Sequence, residues 1–171
     1  SFSRHTLEKA KNFGAITILE RGSSHIEYQR DVLDEEYRNC GLKPSHTHPQ
    51  IVEKELEEYA MADYISVPSL FAKKSFLEKG FPEKKILHVP YGVDLTQFKP
   101  MKKEDNVFRI IHCGSVTLRK GCHYLLKAFS ELNLPNSELW FVGTVSDDMQ
   151  SFINQYEDER ITYFGSKPQG S

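Results

Sequence analysis

Short apolar, β-branched runs recur along this chain, and stretches long enough for a helix separate most of them. Ala15-Ile16-Thr17-Ile18-Leu19 is the first, Asp63-Tyr64-Ile65-Ser66-Val67-Pro68 the second and Ile86-Leu87-His88-Val89-Pro90 the third. Val107 to Cys113, Leu139-Trp140-Phe141-Val142 and Ile161-Thr162-Tyr163-Phe164 repeat the pattern. Runs this compact suit buried strands of a parallel sheet, whose side chains meet helices rather than water. The alternation predicts an α/β fold of Rossmann-like parallel sheets with flanking helices.

Helices are predicted over residues 2–13, 26–39, 50–61, 70–79, 121–132 and 147–156. The punctuation agrees: Pro49 suits the first helical position, Ser69 suits an N-cap, and Gly41 and Gly80 are stop signals. Within 121–132, Tyr124, Leu125, Ala128, Phe129 and Leu132 lie on one face, and Tyr124, Phe129 and Trp140 are predicted core. Lys99-Pro100-Met101-Lys102-Lys103-Glu104-Asp105-Asn106 is polar and charged, and reads as a linker. It divides the chain into residues 1–98, a linker over 99–106, and residues 107–171, hence two sheets rather than one. Neither half reaches the roughly 150 residues of a complete Rossmann-like domain, so each is expected to be part of one.

Lys and Arg total 22 against 24 Asp and Glu, a net charge of −2. That argues against a protein whose main business is gripping a nucleic acid backbone, which needs a basic stripe, and leaves room for a local basic patch that binds phosphate. Cys40, Cys113 and Cys122 are widely spaced, with no CxxC pair, so neither a zinc site nor a disulfide framework is indicated. Cys113 falls in an apolar run and is expected in the core. A reducing cytoplasm is the simplest setting, and no run of about 18 apolar residues exists to span a membrane. His46-Thr47-His48 has no acidic or Cys partner nearby and reads as a loop, so no metal is expected. The acidic residues between 53 and 58 read as a solvated helix face. The chain opens Ser1-Phe2-Ser3-Arg4-His5 without Met or a signal pattern and closes Gln169-Gly170-Ser171. These ends suggest a piece cut from a longer protein.

From about residue 60 onward an ordered series of segments resembles the retaining glycosyltransferases of family four, which have the GT-B fold. Ala62-Asp63-Tyr64-Ile65-Ser66-Val67-Pro68-Ser69 is similar to that family's ADxxxxxS strand and cap. Lys85-Ile86-Leu87-His88-Val89-Pro90-Tyr91-Gly92-Val93-Asp94, with Phe98 and Pro100 after it, is similar to its KIxVIPNGVDxxxFxP link between domains. Ile110-Ile111-His112-Cys113-Gly114-Ser115 and Arg119-Lys120-Gly121 resemble the first strand and loop of its donor domain. Leu125-Leu126-Lys127-Ala128-Phe129, Leu139-Trp140-Phe141-Val142-Gly143 and Tyr163-Phe164-Gly165 continue in order. Each segment alone is common, and the specificity lies in their order over about 100 residues; residues 1–59 match less specifically. The resemblance implies the C-terminal part of an acceptor domain over 1–98 and the N-terminal part of a nucleotide-sugar donor domain over 107–171. The family's acidic E-x7-E segment would come after residue 171 and its N-terminal Gly-rich loop before residue 1. The piece alone is therefore expected to be inactive.

Sugar transfer from a nucleotide donor leaves negative charge on a diphosphate, and fixed cations and backbone N–H groups aimed at it lower the barrier. Arg119-Lys120-Gly121 sits after a strand and at a helix start, where N–H groups favour phosphate. The resemblance places Lys120 on the diphosphate directly. It makes Gly114, Ser115, Arg119, Lys120 and Gly121 the diphosphate-binding set. The family has Gly-Arg where this chain has Gly114-Ser115, so Arg119 is the substitute guanidinium. Without the resemblance Arg119 and Lys120 read as a solvated pair at a helix start. Gly165, Ser166 and Lys167 fall where the family contacts the nucleobase through backbone, and equally fit a plain loop. Gly92 and Asp94 lie in the interdomain link; the residues alone read as a turn in which Gly92 supplies a left-handed φ and Asp94 caps the next segment. Glu20, Arg21 and His25 follow an N-domain strand, and His25 is the candidate catalytic His, with Arg21 for an anionic acceptor and Glu20 as its partner. Their competing reading is an Arg21–Glu20 pair with His25 beside a helix N-cap.

The reading is a hexosyltransferase-type glycosyltransferase that uses a nucleoside-diphosphate sugar as co-substrate, needs no cofactor or metal, and acts in polysaccharide biosynthesis on a glycan or lipid-linked acceptor. A sugar-nucleotide epimerase of GT-B architecture and a non-catalytic binding module are the alternatives. A dinucleotide oxidoreductase is disfavoured, since no G-x-G-x-x-G follows a predicted strand. An unpaired sheet edge would suit a homodimer, and peripheral membrane association of the full-length enzyme stays open.

Overall fold

The computed structural model describes residues 3–44, 47–96, 98–100 and 102–168; His46 of the His46-Thr47-His48 run and the closing residues 169–171 lie outside them. The chain divides into two units, Ser1–Phe98 and Lys99–Ser171.

In the first unit, α1 (Arg4–Asn12) precedes β1 (Ile18–Glu20), and α2 (Ile26–Asn39) and α3 (Pro49–Met61) connect β1 to β2 (Tyr64–Val67). Then α4 (Leu70–Glu78) and a 3-10 turn lead to β3 (Ile86–His88). All three strands are parallel, in the order β1-β2-β3. Leu19, Ile65, Val67 and Ile86 share one sheet face and pack with Leu7 of α1, Ile26 of α2, Val52 and Tyr59 of α3, and Ala72 and Phe76 of α4. Strand order explains this one-sided layering. Every crossover moves in the same direction, and right-handed crossovers moving one way put their helices on one face. The opposite face carries Ile18, 58 % exposed, and Tyr64, 38 % exposed. Among the described residues, the helices of this unit thus cover one face of the sheet.

The second unit repeats the plan. β4 (Phe108–Cys113), α5 (Cys122–Leu132), β5 (Ser137–Val142), α6 (Gln150–Gln155) and β6 (Ile161–Tyr163) follow in order, with 3-10 turns at Leu118–Lys120 and Asp147–Met149. The parallel order is β4-β5-β6. Leu139 and Phe141 of β5 pack with Leu126 and Phe129 of α5 and Met149 before α6. The other face carries Ile111 and Phe164, and Arg109 stacks there over the Trp140 ring at 4.4 Å. Among the described residues, no helix is long and apolar enough to cross a membrane.

Four expectations are corrected. β1 begins at Ile18 rather than Ala15, because Thr17 is tied to the Asp63 carboxylate by its N–H (2.8 Å) and hydroxyl (2.7 Å) instead of to a strand ladder. The helix expected over 147–156 is split into a 3-10 turn and α6. The buried stripe of α5 is Cys122, His123, Leu126 and Phe129, while Tyr124, Ala128 and Leu132 face outward. Cys113 is exposed, since its position on β4 points to the bare face, and Trp140 on the same face is half-buried.

Candidate functional site

At the carboxyl ends of β4, β5 and β6 the chain continues as three loops, and the candidate residues of the second unit lie on these. The first two do not splay apart at the strand ends. Gly114 N–H donates to Val142 O (2.9 Å), Val116 N–H to Thr144 O (2.9 Å) and Ser146 N–H back to Val116 O (3.1 Å). A further parallel bridge between Val116 and Val145 extends the sheet into the loops. This demands glycine at position 143: a Cβ there would lie 1.9 Å from the Gly114 carbonyl oxygen. Gly114 itself has φ +130°, which an L side chain rarely adopts.

The loop from Gly114 to Gly121 alternates in its facing. Val116 and Leu118 are buried to 0 % and 1 % exposure. Ser115, Arg119 and Lys120 face solvent. Thr117 caps the 3-10 turn, its hydroxyl accepting from Lys120 N–H at 3.2 Å. Gly121, with φ +70°, then turns the chain into α5. Arg119 and Lys120 are adjacent cations at the start of that helix, and neither forms an ion pair with another described residue. The expected set Gly114, Ser115, Arg119, Lys120 and Gly121 therefore sits on one ordered loop, with Gly165, Ser166 and Lys167 following β6 at the same sheet end. Thr144 joins them, its hydroxyl 3.4 Å from that of Ser166. Sequence reasoning missed Gly143 and Thr144; the Gly that ends the β5 run was the available signal.

Beneath the loop, His112 on β4 brings Nε2 within 3.3 Å of Ser115 O and 3.6 Å of Cys122 Sγ. Cys122 is 1 % exposed, and burial pushes its thiol pKa up.

The first unit's candidates come out differently. Glu20 is exposed at the end of β1. Arg21 pairs with Glu55, not with Glu20, at 3.2 Å, and Tyr59 OH donates to the same carboxylate at 2.6 Å. Its charge is already neutralised within the fold and is not free for an acceptor anion. His25 is 1 % exposed and is itself the N-cap of α2: Nδ1 accepts from Glu27 N–H at 3.2 Å. Nε2 points among the rings of Tyr59, Phe76 and Phe81, at 5.2, 5.1 and 5.5 Å between centroids. Burial lowers its pKa from 6.5 to about 4, so the ring is neutral at pH 7. A catalytic base must reach substrate, and this one is sealed in the core. In the link, Asp94 accepts from the Thr96 N–H and hydroxyl as a turn cap, while Gly92 has no left-handed φ and a Cβ added there would meet nothing within 4 Å.

No protein-family model matches the sequence, and no curated protein matches it. Solved structures do match in fold. Anabaena Alr3699/HepE in complex with UDP and glucose aligns with a TM-score of 0.59 at 14 % identity, over 95 % of this chain and 44 % of that one. The lipopolysaccharide outer core galactosyltransferase WaaB, in its apo form, aligns with a TM-score of 0.53 at 14 % identity, over 96 % and 47 %. HepE with UDP alone gives 0.54 at 14 % identity, over 96 % and 51 %. The chain spans about half the length of these structures. It has the fold of GT-B glycosyltransferase domains: two Rossmann-like parallel sheets, each with flanking helices.

Proposed function

We propose that this chain is part of a nucleotide-sugar-dependent glycosyltransferase, of the retaining family-four kind, and that its second unit supplies the donor diphosphate site. The observation that carries this reading is the loop 114–121. It holds two adjacent cations, Arg119 and Lys120, that form no ion pair with another described residue, at the carboxyl end of a parallel sheet and at the start of a helix. Unpaired charge there costs little when solvated and becomes useful when a dianionic leaving group develops charge beside it. Open α/β sheets bind ligands at the carboxyl ends of their strands, and a helix N-terminus adds its dipole. Gly114 and Ser115 admit the phosphates to the backbone, Gly121 opens the helix, and Gly165, Ser166 and Lys167 with Thr144 lie toward the base. The sugar goes to a glycan or lipid-linked acceptor, a hexosyl transfer of polysaccharide biosynthesis in the cytoplasm. The first unit, with the link residues Gly92 and Asp94, belongs to the acceptor side. Retention rests on the family resemblance, and UDP is the first nucleotide to test because both HepE structures hold it.

A thermal-shift panel of UDP, GDP and ADP with their sugar conjugates tests the reading, with an Arg119→Ala, Lys120→Ala double variant as control. One diphosphate nucleotide at ~100 times its Kd should stabilise the parent by about 2.7 kcal/mol. The double variant should match the parent's melting temperature without ligand and lose the shift. A nucleotide shift that survives in the double variant removes these two residues from the site.

A further inference from the structure

We propose that His112 is a positioning residue that clamps the underside of the 114–121 loop and sets the geometry in which Arg119 and Lys120 meet an anion. The anion's identity, a nucleoside diphosphate, rests on the donor-site reading; the clamp itself does not. His112 lies two residues before Gly114 and is the register partner of Phe141 on the helix-covered face, with ring centroids 5.7 Å apart. Its Nε2 contacts both Ser115 O and Cys122 Sγ. A carbonyl oxygen can only accept, so Nε2 carries the proton, and the thiol sulfur is a second, weaker acceptor for the same N–H. One nitrogen thereby joins the residue that follows Gly114 to the first residue of α5. These are the two ends of the loop.

The rest of the loop makes this tie consequential. Its middle is held by the Val116–Val145 bridge and by buried Leu118. The outward segment, Arg119 and Lys120, lies between that anchored middle and Cys122. If the Ser115 carbonyl swings away from His112, the Val116 N–H of the same peptide pulls on its bond to Thr144 O, and the cations shift relative to the ladder that holds the middle of the loop. A phosphate gripped by several donors at once is sensitive to displacements of this kind.

Cys122 supplies the readout. In a Cys40→Ala, Cys113→Ala background it is the sole thiol, and at 1 % exposure it reacts with a maleimide only when the loop opens. His112→Phe keeps an aromatic ring and removes the donor. His112→Gln keeps an N–H at the same number of bonds from the backbone. The Phe variant should label about tenfold faster than the parent and the Gln variant within about threefold of it, with cooperative urea transitions by Trp140 emission showing that each variant is folded. Should the Phe variant not fold, His112→Asn, too short to reach either atom, takes its place. Equal labelling of parent and Phe variant overturns the clamp, as does equal acceleration by Phe and Gln. In a second arm, UDP, GDP and ADP are titrated separately. The nucleotide that slows parent labelling should bind the Phe variant about tenfold more weakly, with Gln restoring affinity. Equal affinity in parent and Phe variant overturns the positioning role. If no nucleotide slows the parent, the donor-site reading falls, and the labelling rates still decide the clamp.

Discussion

His25 makes the first unit acid-sensitive, and the size of the effect follows from its surroundings. Neutral His25 uses Nδ1 to accept from Glu27 N–H and lays Nε2 among three aromatic rings. Protonation puts a hydrogen on Nδ1, breaks the cap and leaves a charge in an apolar cage. Lys79 and Arg21 oppose that charge while Glu27 and Asp31 favour it, and burial outweighs them all. The folded pKa of about 4 lies below the ordinary 6.5, so the unfolded chain binds the proton first. Stability is therefore complete above about pH 6.5 and drains away as pH falls toward 4. At about 1.36 kcal/mol per pH unit the whole loss is about 3 kcal/mol, of which about 2 kcal/mol is gone by pH 5. That is a large share of a domain's usual 5–15 kcal/mol. The assay is urea unfolding by circular dichroism at pH 7, 6 and 5, comparing the parent with His25→Asn. Asn keeps an N-cap acceptor and does not titrate. The variant starts lower because the ring is gone, but only the change in the difference with pH matters. Acid effects shared by both proteins, such as those of Asp63 and Glu8, cancel. Trp140, the only Trp, lies in the second unit, so its emission is an internal control. The gap between parent and variant should narrow by about 2 kcal/mol from pH 7 to 5. Parallel stability curves over that range would refute the account.

Three further perturbations probe the frame around the sites. Gly143→Ala drives a Cβ into the Gly114 carbonyl and should collapse the joined loops, lowering the Trp140 urea midpoint sharply, whereas Gly92→Ala meets nothing within 4 Å and should leave stability unchanged. Glu55→Ala strands Arg21 and the Tyr59 hydroxyl and should cost the first unit about 3 kcal/mol in urea titration. Glu58, 0 % exposed, accepts from the N–H groups of Ser3 (3.1 Å) and Arg4 (3.0 Å) as a cap brought from α3; Glu58→Ala should cost about 1 kcal/mol and speed hydrogen exchange in α1.

The alternation of apolar runs and helix-length segments was enough to read parallel α/β architecture, because short runs between capping residues have few other uses. Pro49, Ser69, Gly41 and Gly80 act where their chemistry suggested. What was illegible depended on contacts far apart in sequence. α5 is apolar around much of its circumference, so two stripes fit a helical period. The Gly121 turn and the Leu118 anchor choose the one containing Cys122 and His123. The partner of Arg21 is Glu55, 34 residues away, and nothing local distinguishes it from Glu20. His25 reads from sequence as a candidate catalytic His or a neighbour of a helix N-cap because it follows a strand end and a Ser-containing loop; the cage that seals it is assembled from α3, α4 and Phe81. The loop 114–121 was legible as a stretch, whereas its ladder to the 143–146 segment was not.

The single winding direction of both sheets carries a geometric condition. A helix can cover the face bearing Ile111, Trp140 and Phe164 only if its crossover runs back across the sheet, against the β4-to-β6 sense, because right-handedness fixes the side on which each connection lands. Such a returning connection from β6 sets its strand beyond the free edge of β4. The two neighbouring strands then lead their chains away to opposite faces, and a crevice opens between their carboxyl ends. That crevice falls beside β4, next to Gly114 and Ser115. Closing the bare face and walling the 114–121 loop are thus one topological event.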